Sequence, residues 1–169
     1  VGAGGSVLFL VPSISLLSQT LREWATEAEV PLASLAVCSD RKATARSKAT
    51  NEDISAVDLA LPSTTNIAVL ESRWAQAVGE TDSMTVVFAT YQSIDVVAQA
   101  QSQGDLPAFD LIVCDEAHRT TGTTLAGENE SAFVRIHDSS YIRGDKRLYM
   151  TATPRIYDDA SKAKAGEAS

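Results

Sequence analysis

Five short stretches of the chain are almost uninterrupted in apolar residues: 7–11, 35–38, 85–89, 111–114 and 148–151. None alternates apolar with polar, so each predicts a strand buried on both faces, as in a parallel sheet. Between them the apolar spacing lengthens to three and four. Ile14, Leu17, Leu21 and Trp24 fall on one side of a helix that Ser13, following Pro12, can cap. Ile67, Leu70, Trp74 and Val78 mark a second helix, with Thr65 as its expected cap. Residues 92–102 predict a third helix and residues 131–137 a short fourth. Strands alternating with helices predict an α/β layered fold with right-handed crossovers. Residues 39–64 are polar and lack an apolar stripe, which predicts a long loop. Residues 158–169, rich in Ala, Lys, Asp and Ser, predict a frayed tail or linker.

Composition narrows the class. The 169 residues suit one domain with one sizeable core. An apolar share of 44% and a charged share of 21% are those of an ordinary globular chain. No apolar run approaches the roughly 20 residues of a membrane-spanning helix. The stretch 7–17 is broken by Pro12 and Ser13 and lacks the preceding basic residues of a signal peptide. A net charge of −8 argues against a basic nucleic-acid coat. It leaves room for binding through a narrow strip of amides and hydroxyls. Basic residues gather only loosely, at Arg41, Lys42, Arg46 and Lys48 and at Arg143, Lys146 and Arg147, and are read as solvated surface. Cys38 and Cys114 end apolar runs and are read as reduced core thiols, which points to a cytosolic compartment. A zinc site built from them with His118 and His137 would fit no paired-ligand spacing.

The central chemical signal is Phe109-Asp110-Leu111-Ile112-Val113-Cys114-Asp115-Glu116-Ala117-His118. A buried strand ends in two adjacent carboxylates, at the end of the strand where open α/β sheets bind ligands. Neighbouring side chains there diverge, so the two acids can do different work. Asp115 suits a hard Mg²⁺ ion held through water beside nucleotide phosphates. Glu116 suits the orientation and deprotonation of an attacking water. Two acids after a strand equally suit a solvated loop, and the neighbouring motifs separate the two readings.

Asp115-Glu116-Ala117-His118 is the string that names DEAH-type helicases, and Thr151-Ala152-Thr153, followed by Pro154, resembles their Thr/Ser-Ala-Thr motif. Residues 7–13, ending in Pro12 and Ser13, resemble their motif Ia. Residues 87–93, with Thr90, Gln92 and Ser93, resemble motif Ib. Four motifs in this order, each at a strand end, identify the chain as similar to the first RecA-like domain of superfamily 2 helicases and translocases. The resemblance implies a three-layer RecA-like fold, ATP and Mg²⁺ as cofactors, and Asp115, Glu116 and His118 at the ATP site. It also implies that Thr151, Ala152 and Thr153 couple that site to nucleic acid. Pro12, Ser13, Thr90 and Gln92 would lie against the nucleic-acid backbone, where free amides at helix starts attract phosphate. Such contacts position a strand without reading its bases. The strings Asp115–Gly122 and Lys146–Tyr157, with Cys38-Ser39-Asp40 and residues 61–66, also look like those of type ISP restriction–modification enzymes. There the motor pumps double-stranded DNA between nuclease and methyltransferase parts, which implies a bacterial, cytoplasmic protein.

No Gly-x-x-x-x-Gly-Lys-Ser/Thr string occurs. Such a loop would hold the phosphates with its amides and Lys and the metal with its hydroxyl. Gly2-Ala3-Gly4-Gly5-Ser6 has no Lys, precedes a strand, and predicts a turn. With no initiator Met, Val1 is expected to be a cut point in a longer chain whose absent parts hold the phosphate loop and a second RecA-like domain. Residues 1–157 then form a partial first domain, truncated at its N-terminus, and residues 158–169 a tail toward the second. Alone, such a piece is expected to be inactive. The alternatives are an RNA helicase fragment, a non-catalytic binding module that kept the fold, and a carboxylate-based metal hydrolase.

Overall fold

The computed structural model describes residues 1–38, 63–79, 82–117 and 132–152. The tail at 158–169 and nearly all of the expected loop at 39–64 lie outside these residues. The elements run β1 (Ser6–Val11), α1 (Ile14–Glu27), β2 (Leu32–Val37), α2 (Ile67–Ala77), β3 (Met84–Thr90), α3 (Ile94–Gln103), β4 (Phe109–Cys114), α4 (Ala132–Arg135) and β5 (Gly144–Tyr149). The five strands form one parallel sheet in the order β2-β3-β1-β4-β5.

Two apolar layers cover the sheet. On one face Phe9 of β1 and Phe88 of β3 meet Leu17 and Leu21 of α1. Trp24 joins them edge-on, with its ring centroid 5.1 Å from that of Phe9. On the other face Leu8, Leu10, Val87 and Ile112 pack with Leu70 and Trp74 of α2 and Ile94 and Val97 of α3. The connection from β1 runs one way across the sheet and uses the α1 face. Those from β2, β3 and β4 run the other way, and α2, α3 and Ile136 lie on the opposite face. Reversing face when direction reverses preserves the single crossover hand that parallel sheets require. The result is the layered α/β architecture expected from the pattern, with the three layers that the family resemblance implies.

Cys38 and Cys114 are both buried, and they belong to the two different layers. The sheet lies between these layers, which rules out a metal site or bridge shared by the two thiols. Burial pushes the Cys114 thiol up to about 12.

The structure corrects several local expectations. β5 spans Gly144–Tyr149, so it starts earlier than the apolar run at 148–151 and leaves Thr151 beyond its end. Nor is it buried on both faces: its span takes in the polar Asp145, Lys146 and Arg147, and none of its residues is fully buried. Gly144 opens it for a steric reason: a Cβ there would sit 2.6 Å from Ile112 of β4. β2 starts three residues earlier than its apolar core. The cap of α2 is Asn66, whose side chain accepts from the Val69 amide at 3.2 Å. Thr65 does not cap it; Thr64 instead accepts from the Asn66 amide at 3.0 Å and fixes the entry turn. The third helix begins with a 3₁₀ turn over Tyr91–Ser93.

Candidate functional site at the carboxyl ends of the strands

Because all five strands are parallel, their carboxyl ends share one edge of the sheet, and the described residues of the four helicase-like motifs reach that edge. β1 and β4 are neighbours whose following helices lie on opposite faces, which makes the gap between their ends a topological switch point. Asp115 and Glu116 leave β4 at this point, both half-buried.

Backbone hydrogen bonds set the local path. The Asp115 amide donates to the Leu10 carbonyl at 2.9 Å, continuing the ladder with β1 by one residue. Glu116 then turns out of the strand with φ 52°, the only non-glycine residue with positive φ among those described. Its amide donates to Asp115 Oδ1 at 2.8 Å. The Ala117 amide donates to the Met150 carbonyl at 2.7 Å, and the Met150 amide to the Cys114 carbonyl at 2.9 Å. The carboxylate turn is thus bound directly to the segment that leads into Thr151 and Ala152. His118 and Thr153 lie outside the described residues.

Ser13 caps α1 as expected, its Oγ accepting from the Leu16 amide at 3.3 Å. Gln92 is exposed, and its side-chain amide donates to the Pro12 carbonyl at 3.3 Å, joining the ends of β3 and β1. Thr90 is placed differently from the expectation. It is 4% exposed, and its hydroxyl donates to Ser93 Oγ at 3.2 Å inside the turn. Its hydroxyl thus serves the turn, while the next polar side chain along, Gln92, is exposed. Sequence reasoning also passed over Tyr91, which is fully buried with its hydroxyl donating to the Asp115 carbonyl at 2.8 Å. The available signal was a lone phenol where an apolar side chain would otherwise fill the core, since buried tyrosine hydroxyls find partners.

Among the described residues no group of three or more His, Cys, Asp or Glu could hold a metal ion. A single carboxylate, Asp115, fits Mg²⁺ bound mostly through water and substrate phosphate, the mode that ion prefers. A hollow of about 510 Å³ lies at the opposite edge of the sheet, between Gly2–Gly5 and Asp110, Asp145 and Lys146. It is remote from the carboxylate turn. There Gly4 has φ 75° in the expected turn, and Asp110 accepts from the Ser6 amide and hydroxyl, bonds that hold its carboxyl below the usual range.

The ResIII family model, described as type III restriction enzyme, res subunit, matches residues 2–156. The chain belongs to this family. A probable helicase of African swine fever virus is 32% identical over 163 residues, 96% of this chain but 16% of the viral protein. The ATP-dependent type ISP restriction–modification enzyme LlaBIII, solved bound to DNA, matches with a TM-score of 0.74 and 44% identity. The match covers 90% of this chain and 10% of that one. A nuclease-deletion mutant of the type ISP enzyme LlaGI, in complex with a DNA substrate mimic, matches with a TM-score of 0.70 and 44% identity, over 90% and 11%. The chain therefore corresponds to roughly a tenth to a sixth of these relatives. This ResIII chain has the RecA-like fold and is of the helicase-motor type found in restriction enzymes. No helix among the described residues is long and apolar enough to cross a membrane.

Proposed function

We propose that this ResIII chain is the carboxylate-bearing part of the first RecA-like domain of an ATP-driven DNA translocase. The observation that carries the reading is the Asp115–Glu116 turn at the switch point, bonded through Ala117 to the segment entering Thr151. In this reading residues 1–157 form the partial domain and residues 158–169 lead toward a second one. Asp115 holds Mg²⁺ through water, and Glu116 orients the attacking water and takes its proton. His118 and Thr153 complete the link between the ATP site and the strand end at Thr151 and Ala152. Ser13 and Gln92 face the DNA backbone, with buried Pro12 setting the path into Ser13, and the helix start behind Ser13 supplies amides for phosphate. Bound ATP–Mg²⁺ supplies the transferable phosphoryl group, while a phosphate-holding loop belongs to other parts of the parent protein. Duplex DNA is the partner favoured by the DNA-bound state of both solved relatives. A restriction role places the parent in a bacterial cytoplasm.

Glu116→Gln in the parent protein tests this. Gln keeps size and hydrogen bonding but cannot accept a proton. ATP binding should persist while DNA-stimulated phosphate release falls by about 10²–10⁴-fold, the usual worth of a general base. Turnover at the parent's rate would remove Glu116 from the chemistry.

A further inference from the structure

β3 and β4 are not neighbours in the sheet, because β1 lies between them. Tyr91 nevertheless joins their ends, its ring buried and its hydroxyl reaching past the end of β1 to the Asp115 carbonyl. The accepting carbonyl belongs to the peptide that links the two carboxylate residues. The amide of that same peptide is held by Asp115 Oδ1. Both ends of one peptide plane are thus anchored, one by Tyr91 and one by Asp115 itself. The anchoring matters because Glu116 follows with φ 52°, a region that a residue with a Cβ disfavours. Such a conformation persists where its surroundings hold it. Rotation of this peptide would release both bonds and redirect Glu116.

The next residue extends the connection. Gln92 donates to the Pro12 carbonyl, immediately before Ser13. The end of β3 therefore touches the carboxylate turn through one side chain and the start of α1 through the next. Burial raises the Tyr91 hydroxyl far above its ordinary range, so it remains a proton donor at every physiological pH.

We propose that Tyr91 is a positioning residue, whose hydroxyl sets the Asp115–Glu116 peptide and so ties the placement of the catalytic carboxylates to the nucleic-acid-facing end of β3. The inference rests on the roles given above to Asp115 and Glu116.

The test is Tyr91→Phe in the full parent protein, with Glu116→Gln prepared in parallel. Phe keeps the ring and its packing and removes only the donor. The expected result is a fall in kcat for DNA-stimulated ATP hydrolysis of about tenfold, the most that one neutral hydrogen bond typically contributes. KM for ATP and DNA affinity should stay near those of the parent, with only the modest fall in Tm that loss of one buried donor brings. An unchanged kcat would overturn the proposal. So would a parallel loss of kcat, ATP affinity, DNA affinity and Tm, or a failure to fold, since either would show the hydroxyl acting on stability alone. If Glu116→Gln turned over normally, the carboxylate roles themselves would fall. If Glu116→Gln were inactive and Tyr91→Phe were normal, only the tie would fall.

Discussion

The apolar runs predict β3 and β5 alike as strands buried on two faces, and the two have opposite environments: β3 keeps to its apolar run, whereas β5 reaches back over the polar Asp145, Lys146 and Arg147. Every residue of β3 is buried, whereas none of β5 is. β3 lies between β2 and β1 and has α1 on one face and α3 on the other. Among the described residues β5 pairs with β4, and its Leu148 and Tyr149 are 47% and 42% exposed. The contrast continues at the strand ends. Thr90 is turned into its own 3₁₀ turn, while Thr151 is exposed in the coil after β5. Two threonines that look equivalent in sequence thus have different physical roles, one structural and one at the surface. What separates them is the cover over their strands: α1 and α3 pack on β3, whereas β5 carries Asp145, Lys146 and Arg147 and has no fully buried residue.

The largest expected effect follows from β3. Phe88 sits within 5.9 Å, centroid to centroid, of both Phe9 and Trp24. Phe88→Ala should cost about 3–5 kcal/mol, the usual range for a buried aromatic. On β5, Tyr149 stacks on His137 at the surface with centroids 5.2 Å apart. Tyr149→Ala should cost no more than about 1 kcal/mol, since an exposed aromatic pair contributes little beyond its area. Urea unfolding of the chain measures both, and equal losses would break the comparison. Thr90→Val comes next. It removes the donor to Ser93 Oγ inside the turn, which should cost about 1–2 kcal/mol. Because that hydroxyl faces inward, DNA affinity of the parent should stay unchanged on duplexes of any sequence. A filter-binding titration that showed weakening would return Thr90 to the interface. The smallest stability effect belongs to Thr151→Ala, within about 0.5 kcal/mol, as for other exposed positions. In the parent it should reduce translocation more than ATP hydrolysis. Paired displacement and phosphate-release assays would show this, and equal loss of both would remove its coupling role.

Most of the elements were legible because their signals are local. Ser13 after Pro12, followed by Ile14, Leu17 and Leu21, states both the start and the buried side of α1 within a dozen residues. The carboxylate pair was legible for the same reason, since an apolar strand running into Asp115 and Glu116 marks a strand end. The cap of α2 was misread because Thr65 and Asn66 are adjacent residues of capping type, and the choice rests on which one turns its oxygen toward the Val69 amide. Tyr91 was missed because its partner is 24 residues away. Neither the phenol nor the Asp115 carbonyl announces the other.

The sequence by itself determined the alternation of strands and helices, the side of each helix that is buried and the chemistry gathered at the strand ends. These depend on periodicity and on residue type within a few positions, where chain connectivity leaves little freedom. Only the tertiary structure decided the lateral order of the sheet, and with it which apolar strand became an edge and which hydroxyls turned inward. Those outcomes rest on contacts between distant positions, such as Ser6 with Asp110, 104 residues apart, or Gln92 with Pro12, 80 apart. They are settled by how whole layers pack together, which no stretch of chain specifies alone.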